Sequence, residues 1–487
     1  MEKIRSFLFT NTSPRQTIAK NTIWLFLSEG VGRGLKMILV IYAARVLGAG
    51  GWGTFSYVLS LASLVMVFSD IGLSGLITRE IVQKKEGYRT FISSALFIKT
   101  SLLMVSTLIV VFIGPSLSQI PEARTLFPIV ALVLFFDAVR DFALAINTAF
   151  EKMERDMIAK SIMNITIVGL GIGLLQFNTV PQSVAIAYAI GSALGCAIAL
   201  STIWRDAKNL FTRFDSTLFA LVMRTTWPFA LITLISTILS NTDIYLLGLW
   251  RSPEEIGLYS SMQRIQQFLL FIPGMIATAV FPLVSRLATK DDEHAGHILE
   301  KTTAFLLLIG IPLTAGGIML APQIVTLLFG AGYIGAVPIL RVLFGVLLVS
   351  FPLVLFLNSI FAYDGQKSIA NAYFFGFIAN IILNILFIPR FGAIGSAIAT
   401  LIATIIITGL MWHKLKRITR FHVTPQLKGI TLSSIAMMGS IVLCMFFEVT
   451  LIPTVCIAIF VYAGTILLIK DPLIEELFLA IKTKTIA

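Results

Sequence analysis

Charge is what this chain has least of. Only 13% of its 487 residues are Asp, Glu, Lys or Arg, about half the share of an average soluble domain. That excludes a water-facing surface for most of its length. Cysteine is scarce too: Cys196, Cys444 and Cys456 stand singly in apolar runs, which excludes a disulfide framework or a thiolate metal site. The four histidines lie outside those runs, and His294 and His297, at i and i+3, have no third ligand nearby. No metal and no cofactor is expected. "GLGIGL" (169–174) carries glycines inside an apolar span, where helix packing explains them better than a nucleotide loop. No long outside loop is present to hold catalytic residues, so an enzyme is not expected.

Apolar residues make up 57% of the chain, in runs of about 20 to 28 residues, the length a helix needs to cross ~30 Å of hydrocarbon. The runs lack the polar alternation of barrel strands. The expected fold is therefore an all-α polytopic membrane protein with about fourteen transmembrane helices. No cleavable leader is read, because the first 17 residues are polar and basic and the first apolar run is too long.

Acidic residues are fewer than basic ones, 25 against 37, giving a net charge of +12. The basic residues crowd onto alternate loops such as "TREIVQKKEGYR" (78–89), "RDAKNLFTR" (205–213) and "HKLKRITR" (413–420). The other side carries only Arg124, Arg251 and Arg390. This asymmetry predicts cytoplasmic N- and C-termini and a basic inner surface facing lipid headgroups, with no nucleic-acid partner.

Two pairs of segments look alike. "LGAGGWGTFSYVLS" (47–60) matches "RSPEEIGLYSSMQR" (251–264), with Gly53 on Gly257 and Phe55 on Tyr259. "INTAFEKMERDMIAK" (146–160) matches "LNSIFAYDGQKSIAN" (357–371), with Asn147 on Asn358 and Phe150 on Phe361. An even number of helices separates the copies, so the repeat is parallel, one of the known transporter plans, with a binding site near mid-membrane between the lobes. The expected division is 1–215 (spans 1–6), 216–420 (spans 7–12) and 421–487 (spans 13 and 14 with a cytoplasmic tail).

The "ARVLGAGGWGTFSYV" turn, the "SDIGLSGLITREI" end of span 2 and "YDGQKSIANAY…FGAIGSAIATLI" resemble the polysaccharide and O-antigen (Wzx-type) flippases of the multidrug/oligosaccharidyl-lipid/polysaccharide exporter superfamily. The resemblance implies two pseudo-symmetric six-helix lobes plus two further helices, a water-filled cavity and alternating access. It implies a polyprenyl-diphosphate-linked glycan as cargo, moved from the cytoplasmic to the outer leaflet of the plasma or inner membrane. Its implied surroundings are membrane lipids and other polysaccharide-assembly membrane proteins. The alternatives are a lipid II-type flippase or a multidrug/cation efflux antiporter of the same fold. A membrane polysaccharide polymerase or ligase is least favoured.

The first apolar run contains "SEGVGRGLK" (28–36). On a helix Glu29, Arg33 and Lys36 fall within about 60° of one face. Each charge at the centre of a lipid-facing helix costs about 2.5–3.5 kcal/mol, so that face must look into the protein or into water. In the fourth run Asp137, Arg140 and Asp141 share a face, and in the eighth Ser260, Gln263, Arg264 and Gln267 do. Arg33, Lys36, Arg140, Gln263, Arg264, Gln267 and Arg341 are the candidate cavity residues, since guanidinium groups bind phosphate oxygens bidentately. Glu29, Asp70, Asp137, Asp141 and Asp243 are candidates for ion coupling or for charge pairing. A purely structural Glu29–Arg33 pair and a self-neutralised Asp137–Arg140–Asp141 triad remain open at this stage. Arg45 and Lys99 are expected to snorkel to the membrane surface.

Overall fold

The computed structural model describes residues 14–70, 73, 81, 88–207, 218–288, 292–419, 421 and 427–469. The "TREIVQKKEGYR" segment and the end of span 2 lie mostly outside the described residues. The described chain is helical throughout: α1 (Pro14–Met66), α2 (Tyr88–Leu108), α3 (Phe127–Ala149), α4 (Met153–Phe177), α5 (Pro181–Ala207), α6 (Leu218–Trp250), α7 (Pro253–Leu269) and α8 (Phe271–Leu287) come first. Then follow α9 (Asp292–Met319), α10 (Ala321–Phe329), α11 (Val337–Ala362), α12 (Gln366–Ile418), α13 (Leu427–Phe446) and α14 (Leu451–Leu468).

Ten helical stretches among the described residues are long and apolar enough to cross a membrane. Their outer faces carry large apolar side chains that water would not tolerate: Phe177 is 85% exposed, Phe460 82% and Leu468 83%. So dense an exposed apolar surface fits lipid as the solvent. The chain is an all-α multi-pass membrane protein. α3 is not among the ten, because Asp137, Arg140 and Asp141 sit in its middle. Those charges need partners inside the protein.

Two helices are interrupted where the backbone needs a glycine. α1 breaks at Gly48 (φ 68°) and α12 at Gly392 (φ 60°), in a region that only glycine enters without strain.

The chain divides into two compact units, Met1–Ser261 and Met262–Ala487. In the first unit α2, α3, α4 and α5 share a core that includes Ile92, Phe142, Ile146, Ala159 and Ile203. Leu39 of α1 packs with Met163 and Ile167 of α4 in a separate seam. That seam is tight: a Cβ on Gly171 would lie 2.6 Å from Leu39, and one on Gly195 2.9 Å from Met163. In the second unit Leu320, Met437, Ile441 and Ala458 tie the α9–α10 junction to α13 and α14.

Two glycines matched in the sequence, Gly53 and Gly257, meet within the first unit: a Cβ on Gly53 would fall 1.8 Å from the Pro253 carbonyl oxygen, and one on Gly257 1.8 Å from that of Ala49. The obstacle is backbone in both cases, so neither side can yield cheaply. Gly53→Ala is expected to cost about 1–3 kcal/mol, the usual price of overpacking, and to lower the unfolding temperature of the purified protein. Gly34→Ala, where a Cβ meets nothing within 4 Å, is the control. A turn of like form follows the helix in each segment of the second pair, two residues later in the second segment than the match places it. α3 ends at Ala149 and α11 at Ala362, and each turn that follows holds an acidic residue with positive φ, Glu151 (56°) and Asp364 (55°).

Candidate functional site

Three helices of the first unit enclose a cavity of about 230 Å³. α1 contributes Ser28, Glu29, Gly32, Arg33 and Lys36, α3 contributes Arg140 and Asp141, and α4 contributes Lys160, Met163 and Asn164. The α1 residues recur at helical spacing, so one face of that helix forms a wall. The seam residues Leu39 and Met163 hold α4 against it.

The charges in this cavity are cross-connected. Lys160 Nζ donates to Glu29 Oε1 at 2.9 Å, and Arg33 Nε lies 3.5 Å from Glu29 Oε2. Arg140 donates to Asp137 through Nη1 and to Asp141 Oδ1 through Nη2 at 2.7 Å and Nε at 3.1 Å; its guanidinium also touches the Met163 sulfur. The two groups differ in depth. The Arg140 side chain is 9% exposed, whereas Arg33 and Glu29 are 45% and 41% exposed within the cavity mouth. Four cations therefore line the wall against Glu29 and Asp141, with Asp137 behind Arg140. The positive excess and the nearly half-exposed Arg33 suit a ligand carrying more than one negative charge.

The model of the polysaccharide biosynthesis protein family matches residues 18–288. The chain belongs to this family. The MatE family model matches residues 228–386 in addition. Among curated relatives, the probable low-salt glycan biosynthesis flippase Agl15 of Haloferax volcanii is 24% identical over 87% of this chain and 89% of its own length. A putative O-antigen transporter of Shigella flexneri is 23% identical over 67% of this chain and 80% of its own. Among solved structures, a lipid II flippase MurJ in an inward closed conformation matches with a TM-score of 0.77, covering 93% of this chain and 99% of that one, at 20% identity. That likeness shows a shared fold.

In this member of the polysaccharide biosynthesis family, Arg33, Lys36, Glu29, Arg140 and Asp141 come together in one cavity, with Asp137 supporting Arg140. The remaining sequence candidates stand elsewhere. Asp243 is buried and accepts a hydrogen bond from the Tyr259 hydroxyl at 2.6 Å. Asp70 pairs with Lys99 at 3.3 Å. Lys99 is 3% exposed and lies 5.5 Å over the Phe142 ring, so it is anchored in the protein core instead of snorkelling. In the second unit, Arg264 donates to Gln267 at 3.2 Å beside the buried Gln263, and the exposed Arg341 donates to the Ile318 carbonyl at 3.2 Å.

Sequence reasoning missed three polar residues of the cavity, Lys160, Asn164 and Ser28, and the apolar Met163. Lys160 reads as a cytoplasmic-end cation, close to Lys152 and Arg155. The signal that singles it out is Asn164, one turn further into an otherwise apolar helix. Two polar residues at i and i+4 on such a helix need a polar neighbour.

Proposed function

We propose that this protein is a flippase for polyprenyl-diphosphate-linked glycans, binding the diphosphate in the cationic cavity of the first unit. The observation that carries this reading is the convergence of Arg33, Lys36, Arg140 and Lys160 from three helices in a chain whose outer surface is lipid-compatible. The names of the relatives, a glycan biosynthesis flippase and an O-antigen transporter, support it.

The chemistry follows from the pairing. A diphosphate brings several anionic oxygens, and a guanidinium binds two of them with parallel hydrogen bonds. Glu29 already holds Arg33 loosely and Lys160 closely, so an entering headgroup exchanges one set of partners for another. When the headgroup leaves, Glu29 recovers both cations, and its charge keeps its partners on the return. The polyprenyl tail stays in the bilayer while headgroup and sugars cross through the cavity. Alternating access takes the two copies of the repeat, 1–215 and 216–420, as the moving lobes, with 421–487 as an addition; the like turns at Glu151 and Asp364 support that division.

The test is a reconstitution assay. Proteoliposomes should translocate a fluorescent polyprenyl-diphosphate oligosaccharide and should leave a cationic dye where it is. Dye movement without lipid movement would overturn the reading in favour of cation efflux.

The orientation that goes with it has cytoplasmic termini in a plasma or inner membrane. A cysteine at the exposed Ser252 is then expected to react with an impermeant thiol reagent from outside intact cells, and one at the exposed Arg417 only after permeabilisation. The opposite labelling would reverse the orientation.

A further inference from the structure

Asp156 stands in the first turn of α4, is not part of the cavity wall, and is only 5% exposed. Among the described residues it makes no ion pair. Its Oδ2 accepts one hydrogen bond, from the Thr148 hydroxyl of α3 at 3.3 Å, and its Oδ1 accepts none. A buried carboxylate without a cation is among the costliest groups a protein can hold, and one long hydrogen bond does little to offset it. Its neighbour Asn147 of α3 gives an amide N–H to Thr202 Oγ1 of α5 at 2.9 Å. Thr202 gives its own hydrogen to the Ala199 carbonyl at 2.7 Å, so the amide is fixed with Nδ2 toward α5. Asn147 Oδ1 is buried and unpaired as well. The junction of α3, α4 and α5 is thus rich in acceptors and short of hydrogens.

The charges around Asp156 are engaged elsewhere. Arg155 donates to the Thr202 carbonyl at 2.6 Å, Lys152 lies 5.4 Å over the Phe150 ring, and Glu154 pairs with Lys20 of α1 at 3.1 Å. Lys160, one turn further along α4, acts on the Asp156 carboxyl electrostatically. An acid followed by a base at i and i+4 is the favourable order for an ion pair on a helix. Yet Lys160 Nζ sits 2.9 Å from Glu29 of α1, whose side chain is 41% exposed. Of two acids in reach, the cation goes to the one that water already solvates. That choice fits an Asp156 that carries a hydrogen and no charge. We propose that Asp156 is a proton-binding site that governs Lys160. With the proton on, Lys160 stays with Glu29 at the cavity; with the proton off, the buried carboxylate draws Lys160 away. The cavity then loses one of its four cations. The consequence for cargo rests on the diphosphate reading above, and the proton site itself does not.

Infrared spectroscopy of the purified full-length protein in detergent reads the proton directly, because a protonated carboxyl has a carbonyl band that a carboxylate lacks. The difference between native protein and Asp156→Asn is expected to show that band at neutral pH and to lose it as pH rises. Asparagine copies the neutral acid, so the variant should unfold close to the native temperature at neutral pH. Binding is measured with polyprenyl-diphosphate-linked N-acetylglucosamine, whose two phosphates each keep one charge across this range. Native affinity should fall by about twofold to tenfold between mildly acid and mildly alkaline pH, the value of one hydrogen bond, while that of the variant stays level. A difference spectrum without the band at any pH would overturn the proton site. So would an Asp156→Asn protein that unfolds far below the native temperature. A band that sodium ions abolish would make the ligand a metal cation and overturn it too. The band together with equal pH dependence of binding in both proteins would overturn the link to Lys160. Binding by neither protein would overturn the diphosphate reading, and the infrared result would still decide on Asp156.

Discussion

Arg33→Ala is expected to lower lipid-linked glycan translocation by about tenfold to a hundredfold, the value of a charge-assisted hydrogen bond pair to phosphate, while the protein stays in the membrane at normal abundance. The structure separates these two effects. Glu29 keeps Lys160 at 2.9 Å when Arg33 is gone, so no acid is left alone. The Arg33–Glu29 contact itself is long, at 3.5 Å, and nearly half exposed, a class of pair worth at most about 1 kcal/mol. Arg33→Lys keeps the charge but loses the planar fork and should fall between native and Arg33→Ala. The double change Glu29→Ala with Arg33→Ala decides between roles. If Arg33 serves only to neutralise Glu29, the double variant recovers full transport in the reconstituted assay. If Arg33 binds the cargo, transport stays low.

Arg140 is expected to behave in the opposite way, with the larger effect on folding. Its side chain is 9% exposed and holds two carboxylates, Asp137 and Asp141. Arg140→Met removes the partner of the part-buried Asp137, 30% exposed, while Asp141, 56% exposed, stays in reach of water, at a cost of about 1–3 kcal/mol, a sizeable share of the whole stability of many domains. Abundance in the membrane and the melting temperature should both fall steeply. Neutralising the group together, as Asp137→Asn, Arg140→Met and Asp141→Asn, removes the stranded charges and should restore most of the abundance, since apolar or neutral replacements of a buried ion group are often tolerated. If the triple variant regains abundance and also full translocation, Arg140 has no part in cargo binding and the triad is purely structural.

Much of this protein was legible from its chain. The length of the apolar runs required membrane helices, because a backbone in lipid must satisfy its own hydrogen bonds. The cost of charges in hydrocarbon marked α1 and α3 as helices with an inward face, and the 100° advance per residue put Glu29, Arg33 and Lys36 together on it. The likeness of the segments around Gly53 and Gly257 showed in the sequence; that the two glycines meet at one crossing did not. What tertiary structure alone decided is which charges belong to one another. Lys160 is 131 residues from Glu29 and Asn164 is 132 from Gly32, and helical periodicity carries no information across such separations. Lys99 shows the same limit. Its sequence allows a snorkelling side chain or a buried one, and the nearby Asp70 carboxylate and Phe142 ring are what hold it inside. Local physics set the elements and their polar faces; the packing of α1 on α4 through Leu39 and Met163 set which of those faces share a cavity.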